Sequence, residues 1–199
     1  MVRRVSHTPP TLSPATQAWL LWVARASLAR ALGTTPPPKP ARPDDPLLSA
    51  KTRAFVSWHE GRRLVGCIGT LAATEPLETT VEKYAVESGL RDPRLPPATA
   101  EQLPRLSCEV SVLTDPVDMD EVGLPAITAA LVPGRDGLVL RDDGRRAVFL
   151  PVVWESVPTP ELFVAALCRK AGIDPATRGS HVRGQRFFAV KVADPAPPE

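Results

Sequence analysis

Cys67 is the residue of this chain best placed to do chemistry. It stands in Gly66-Cys67-Ile68-Gly69-Thr70, where glycines close by leave the thiol reachable from at least one side. A cysteine is a nucleophile only as the thiolate, so it needs a cation, a helix N-terminus or a base to lower its pKa. Cysteine also serves as a small buried hydrophobe that keeps a crowded strand slim. Two glycines in five residues fit either use, because glycine inside a strand marks a bulge or a close approach of something packed on it. Gly66, Ile68, Gly69 and Thr70 are therefore candidate ligand contacts beside the candidate catalytic Cys67.

Other groups could complete such a site. Glu109 alternates with Ser107 and Ser111 on one face of an expected strand; it is either a general base lining a cleft or part of an exposed sheet face. Arg91, Asp92 and Arg94 follow a helix end and are stiffened by Pro93. One arginine turned toward Cys67 would depress the thiol pKa or bind a carboxylate or phosphate; otherwise the loop is solvated and holds an internal Asp–Arg pair. His59 is a tempting base. If Trp58 pairs near Arg63, however, Cys67 lies on the order of 13 Å away along the strand. His181 is the other histidine within the domain, and His7 falls in the N-terminal arm. Cys108 and Cys168 read as core residues, and Lys170 as a cation at a helix C-terminus. No cysteine has a second ligand at zinc-site spacing, so neither a metal nor another cofactor is expected.

Composition narrows the class. The chain has 199 residues, 43% hydrophobic and 23% charged, with a formal charge of +2, which suits one soluble domain of two lobes. Interspersed charges and 5% aromatics argue against nucleic-acid binding. Three cysteines without a CxxC fit a reducing cytoplasm better than a disulfide scaffold. The first residues lack an apolar signal core, and the stretch 19–32 carries Arg25 and Arg30 and is too short to span a membrane.

The elements that must position these residues follow from punctuation and period. Residues 1–12 read as a flexible arm. Ser13-Pro14 starts a helix that runs through Leu20, Ala24, Leu28 and Leu32 to Gly33. Residues 34–46 hold six prolines and form a connector. The run 54–58 and the run 63–69 read as a hairpin turned by His59-Glu60-Gly61-Arg62. A second helix opens at Glu75-Pro76 and stops at Gly89, and Thr99–Leu103 reads as a short helical turn. Residues 107–113 alternate, with Cys108, Val110 and Val112 inward. A Pro- and Asp-rich turn, an apolar run 127–132, a hairpin around Asp142-Asp143-Gly144, a helix from Thr159 to Gly172 and a strand 185–192 complete the domain. Residues 194–199 are expected to be a tail. The fold class is α+β, an antiparallel or mixed sheet with flanking helices, over 13–193.

Several of these stretches match one known pattern. Val65-Gly66-Cys67-Ile68-Gly69-Thr70-Leu71 resembles the L-R-G-C-I-G-T/S signature of the AMME chromosomal region domain family, the A component of AmmeMemoRadiSam systems. Ala54-Phe55-Val56-Ser57 is similar to the family's F-V-T strand. Arg91-Asp92-Pro93-Arg94-Leu95 resembles its D-P-R-F loop, and Glu109-Val110-Ser111-Val112-Leu113 its E-V-S-V-L strand. Gly137–Leu140, Leu150–Trp154 and Lys170-Ala171-Gly172 follow in family order. The resemblance covers roughly 18–192. It implies an α+β fold of a larger and a smaller lobe with the cysteine motif facing the cleft, and it brings no assigned reaction. Two function classes remain. One is a protein that binds a small molecule around Cys67, with cysteine-dependent chemistry. The other is a non-catalytic accessory subunit working with Memo-like and radical S-adenosylmethionine partners. This chain has Val65 where the family usually has arginine. Valine cannot hold an anion bidentately, which leaves Arg63, Arg91 or Arg94 to supply any charge.

Overall fold

The computed structural model describes residues 11–194; His7, most of the N-terminal arm and residues 195–199 lie outside them. Along the chain run α1 (Pro14–Ala31), β1 (Arg53–Glu60), β2 (Arg63–Gly69), α2 (Leu77–Leu90), β3 (Leu106–Leu113) and β4 (Val117–Val122). There follow α3 (Leu124–Ala130), β5 (Asp136–Asp142), β6 (Arg145–Phe149), α4 (Pro160–Ala171), a single turn α5 (Pro175–Arg178) and β7 (Arg183–Ala193). The fold is α+β, with antiparallel strand pairing. The chain divides into two compact units, Thr114–Ala189 and a larger one of 11–113 with 190–194.

In the larger unit β2 pairs β1 and β1 pairs β3. Ser13 caps α1, its hydroxyl accepting from Thr16 N at 3.1 Å, as the Ser-Pro start predicts. Leu12, expected in the arm, is buried and its carbonyl accepts from Gln17 Nε2 at 2.8 Å. The Pro-rich connector lies inside this unit. Trp22 Nε1 donates to Pro37 O at 3.0 Å, and Lys39 Nζ stands 5.5 Å from the Trp19 and Trp22 rings. Leu20, Val23 and Leu28 of α1, Val81 and Ala85 of α2, and Val56, Trp58, Cys108 and Val110 of the sheet form one core. Burying each large side chain contributes about 1.5–3 kcal/mol. Trp58 also donates Nε1–H to Ala85 O at 2.9 Å, so its one polar atom is satisfied.

The hairpin differs from expectation. His59 and Glu60 belong to β1, and the turn is only Gly61-Arg62, with Gly61 at φ 57°. Trp58 pairs Gly66 rather than Arg63, and His59 pairs Leu64, so Val65 is the extra residue of a bulge. Asp194, assigned by sequence to the tail, is instead pinned: it pairs with Arg25 and accepts Cys108 N at 2.6 Å. In the smaller unit β7 pairs both β4 and β5, and β5 pairs β6. Sequence reading missed β4, because Val117-Asp118-Met119-Asp120-Glu121-Val122 is rich in acids that disfavour strands. Leu138, Leu140, Phe163 and Leu167 form its core, with the Trp154 and Phe163 rings stacked at 3.8 Å.

The helix layer sits on the sheet at a fixed height because Gly66 has no side chain. A Cβ built there would lie 1.7 Å from Ser88 O of α2, and one on Gly89 would lie 2.7 Å from Leu28 Cδ1 of α1. Gly66→Ala is therefore expected to cost at least about 1–3 kcal/mol, read from the urea midpoint. An unchanged midpoint would show that α2 does not rest on this glycine.

Candidate functional site

The register places three of the chemically interesting residues in one line. Cys67 on β2 is opposite Ser57 on β1, and Ser57 is opposite Glu109 on β3. Paired residues project from the same face, and this face is the one turned away from α1 and α2. Phe55, His59, Ser107 and Ser111 share it, all partly exposed. Glu109 accepts from Ser111 Oγ at 3.4 Å and pairs with Lys191 Nζ at 3.5 Å. Ser57 and Lys191 are members of this row that the sequence did not single out. Cross-strand neighbours lie far apart in the chain, so only the register reveals them.

His59 also returns to consideration. It is a diagonal neighbour of Cys67 on the same face, two residues beyond Ser57. Such neighbours are separated by about 7–8 Å, roughly half the distance that the assumed register gave. His181 lies in the smaller unit.

Cys67 is held by its backbone from the open side of β2. Its N–H donates to Asp92 Oδ2 at 3.0 Å, and its C=O accepts from Arg94 Nη2 at 2.9 Å. The clamp is built locally. α2 ends at Leu90, and Asp92-Pro93 begins a turn in which Asp92 Oδ1 accepts Arg94 N at 3.1 Å and Asp92 O accepts Leu95 N at 3.2 Å. Asp and Pro are the residue types such a turn favours. Arg94 then closes on Asp92 with two further bonds, Nε to Oδ1 at 2.9 Å and Nη2 to Oδ2 at 2.7 Å. Asp92 is buried, its side chain 2% exposed, whereas that of Arg94 is 63% exposed. The Arg94 guanidinium, helped by Cys67 N–H and Arg94 N–H, holds the Asp92 carboxyl far below the usual carboxylate range despite its burial. Arg94 is correspondingly raised, first by its hydrogen bond to Asp92.

The remaining candidates divide by face. Gly66 is on the helix side, beneath Ser88, and Ile68 pairs with the buried Val56, so neither shares the Cys67 face. Gly69 does, but the Phe55 ring covers it: a Cβ there would lie 2.4 Å from Phe55 Cγ. Thr70 turns its hydroxyl into a local bend, accepting Ala72 N at 3.0 Å. Arg91 pairs with Glu87 at 2.6 Å, and Arg63 with Glu60. Asp92 is committed to Cys67 and Arg94. Of the three charged loop residues, Arg94 is thus the one beside Cys67 with surface to offer. Cys108 and Cys168 are buried, and burial pushes both thiols up. Among the described residues no group of three or more His, Cys, Asp or Glu could hold a metal ion, and no helix is long and apolar enough to cross a membrane.

Comparison with known proteins agrees with the motif. The AMMECR1 family model matches residues 21–192. The chain belongs to the AMMECR1 family. A protein of Thermofilum pendens is 31% identical over 194 residues, covering 89% of each chain. Ta0236 of Thermoplasma acidophilum is 33% identical over 154 residues, 76% of this chain and 73% of that one. The crystal structure of the uncharacterized protein PH0010 from Pyrococcus horikoshii is similar, with TM-score 0.72 and 30% identity, covering 89% of this chain and 91% of that one. Val65 is the bulge residue and is buried in the core with Trp58. Val65 therefore faces away from the Cys67 row.

The clamp has a pH signature. A carboxyl whose folded pKa is depressed stabilises the fold above its unfolded value of about 3.9, and this contribution is lost as pH falls toward the folded value. Asp92→Asn is expected to cost about 1–3 kcal/mol near neutrality, with the gap from wild type narrowing below about pH 4. Urea titrations at several pH values measure this; a gap independent of pH would show that the Asp92 charge is not what holds Cys67.

Proposed function

We propose that this AMMECR1 chain binds a small molecule on the outer face of β1, β2 and β3, with Cys67 as the reacting thiol. The observation that carries the reading is the row Cys67–Ser57–Glu109 in register across three strands. Two interstrand spacings separate its ends by about 10 Å, too far for the carboxylate to take the thiol proton directly. A thiol at one end, a carboxylate at the other and a small serine between them instead bracket a ligand. Cys67 faces one end of it, and Glu109, steadied by Ser111 and Lys191, faces the other, where a carboxylate can accept or return a proton. Arg94 holds the Cys67 backbone carbonyl and brings a guanidinium to this end of the row. Clamping of both its N–H and its C=O fixes the direction of the Cys67 Cα–Cβ bond, and such positioning is what a reacting group needs.

A second reading keeps the chain non-catalytic, as an accessory subunit for Memo-like and radical S-adenosylmethionine proteins. It is supported by the same clamp, since holding Cys67 through its backbone serves a structural motif equally well. The two readings differ in what the thiol does. If it is reactive, iodoacetamide alkylates native protein at Cys67 near pH 7, sulfur displacing iodide, faster than a model thiol peptide, and Cys67→Ala abolishes the mass shift. Cys108 and Cys168 then react only after unfolding. Labelling of Cys67 that also requires unfolding would overturn the nucleophile. Co-purification with the two partner types that survives Cys67→Ala would favour the accessory role.

A further inference from the structure

Arg183, Arg141 and Arg146 stand side by side across β7, β5 and β6. Arg141 is the register partner of both others, so all three project from one face, and all three are exposed. Like charges directly opposite one another destabilise a sheet. The neighbouring position of the same hairpin shows the ordinary solution, Asp142 opposite Arg145. The chain as a whole carries a formal charge of only +2, so the row does not belong to a generally basic surface.

The arginines are only lightly compensated. Asp118 accepts from Arg141 Nη2 at 2.7 Å and from Gln185 Nε2 at 3.0 Å, but its side chain is 75% exposed, and an exposed pair of this kind is weak and exchangeable. Among the described residues neither Arg146 nor Arg183 forms an ion pair. Three guanidinium forks along two interstrand spacings, about 10 Å, present more donors over a longer line than one phosphate can use. Guanidinium geometry matches phosphoryl oxygens bidentately.

We propose that Arg183, Arg141 and Arg146 form a binding site for a small molecule carrying two or more phosphoryl groups. The site lies wholly within the smaller unit and stands whether or not Cys67 is reactive. The low aromatic content, 5%, favours such a ligand over single-stranded nucleic acid, which needs stacking platforms as well as charge.

Calorimetric titration of the full chain with sodium tripolyphosphate tests the proposal. Tripolyphosphate is expected to bind about tenfold more tightly than orthophosphate at matched ionic strength, and to weaken as sodium chloride is added. Arg146→Gln/Arg183→Gln is expected to lose about tenfold in affinity, while Arg146→Lys/Arg183→Lys, which keeps charge without the fork, loses less. The unliganded glutamine variant should be at least as stable as wild type, since it removes like-charge contacts. Equal binding of tripolyphosphate, orthophosphate and sulfate would overturn the site, as would wild-type affinity in the glutamine variant. Tighter, row-dependent binding of a deoxyoligonucleotide would overturn the small-molecule assignment. Should the double variant fail to fold, Arg146→Gln alone is read the same way.

Discussion

The carbonyl of Ser88 rests on the α-carbon of Gly66, and much of the larger unit depends on that contact. It sets the height of α2 above β2 more tightly than any side chain would allow. Gly89, one residue on, performs the same service toward α1 by admitting Leu28. With α2 fixed on both sides, the place where it ends is fixed too, and the turn that follows delivers Asp92 to the backbone of Cys67. A glycine chosen for packing on one face thus decides the geometry of a thiol on the other.

β2 consequently has two distinct sides. Toward the helices lie Val65 and Gly66, both buried, where volume is the constraint. Away from them lies a half-exposed face that carries Cys67, Ser57, Glu109, Ser107 and Ser111 beside His59 and the Phe55 ring. The bulge at Val65 reconciles the two, letting that side chain sink into the core while Cys67 keeps its outward position. Asp92 illustrates a related division. It looks like a ligand residue by type, yet all its acceptor capacity goes to Cys67 and Arg94, which makes it a positioning residue.

Much of this architecture was legible in the sequence where a local signal existed. Ser13-Pro14 and Thr159-Pro160 are caps whose chemistry works over three residues, and both are used as caps. The alternation of 107–113 is likewise a local period, and β3 buries Cys108, Val110 and Val112. The failures were non-local or were contrary to propensity. A polar His59-Glu60 pair resembles a turn, but pairing with β3 on its far side extends β1 through both. Acid-rich β4 forms because β7 offers it a partner. Asp194 resembles a tail until Arg25, distant in sequence, meets it. The candidate site suffered most, because its row is defined by register, and register was set by a bulge that residue types alone did not locate.

The clamp on Cys67 has a consequence beyond the thiol. β2 ends the strand order of its sheet, so the Cys67 N–H and C=O facing away from β1 would form part of an open template for pairing with a strand of another molecule. Asp92 and Arg94 occupy those two groups, and they do so with a turn containing proline, which cannot donate to a ladder. The loop therefore also works as a guard on the sheet's border, keeping the chain from recruiting its neighbours through the very strand on which its most reactive residue type is displayed.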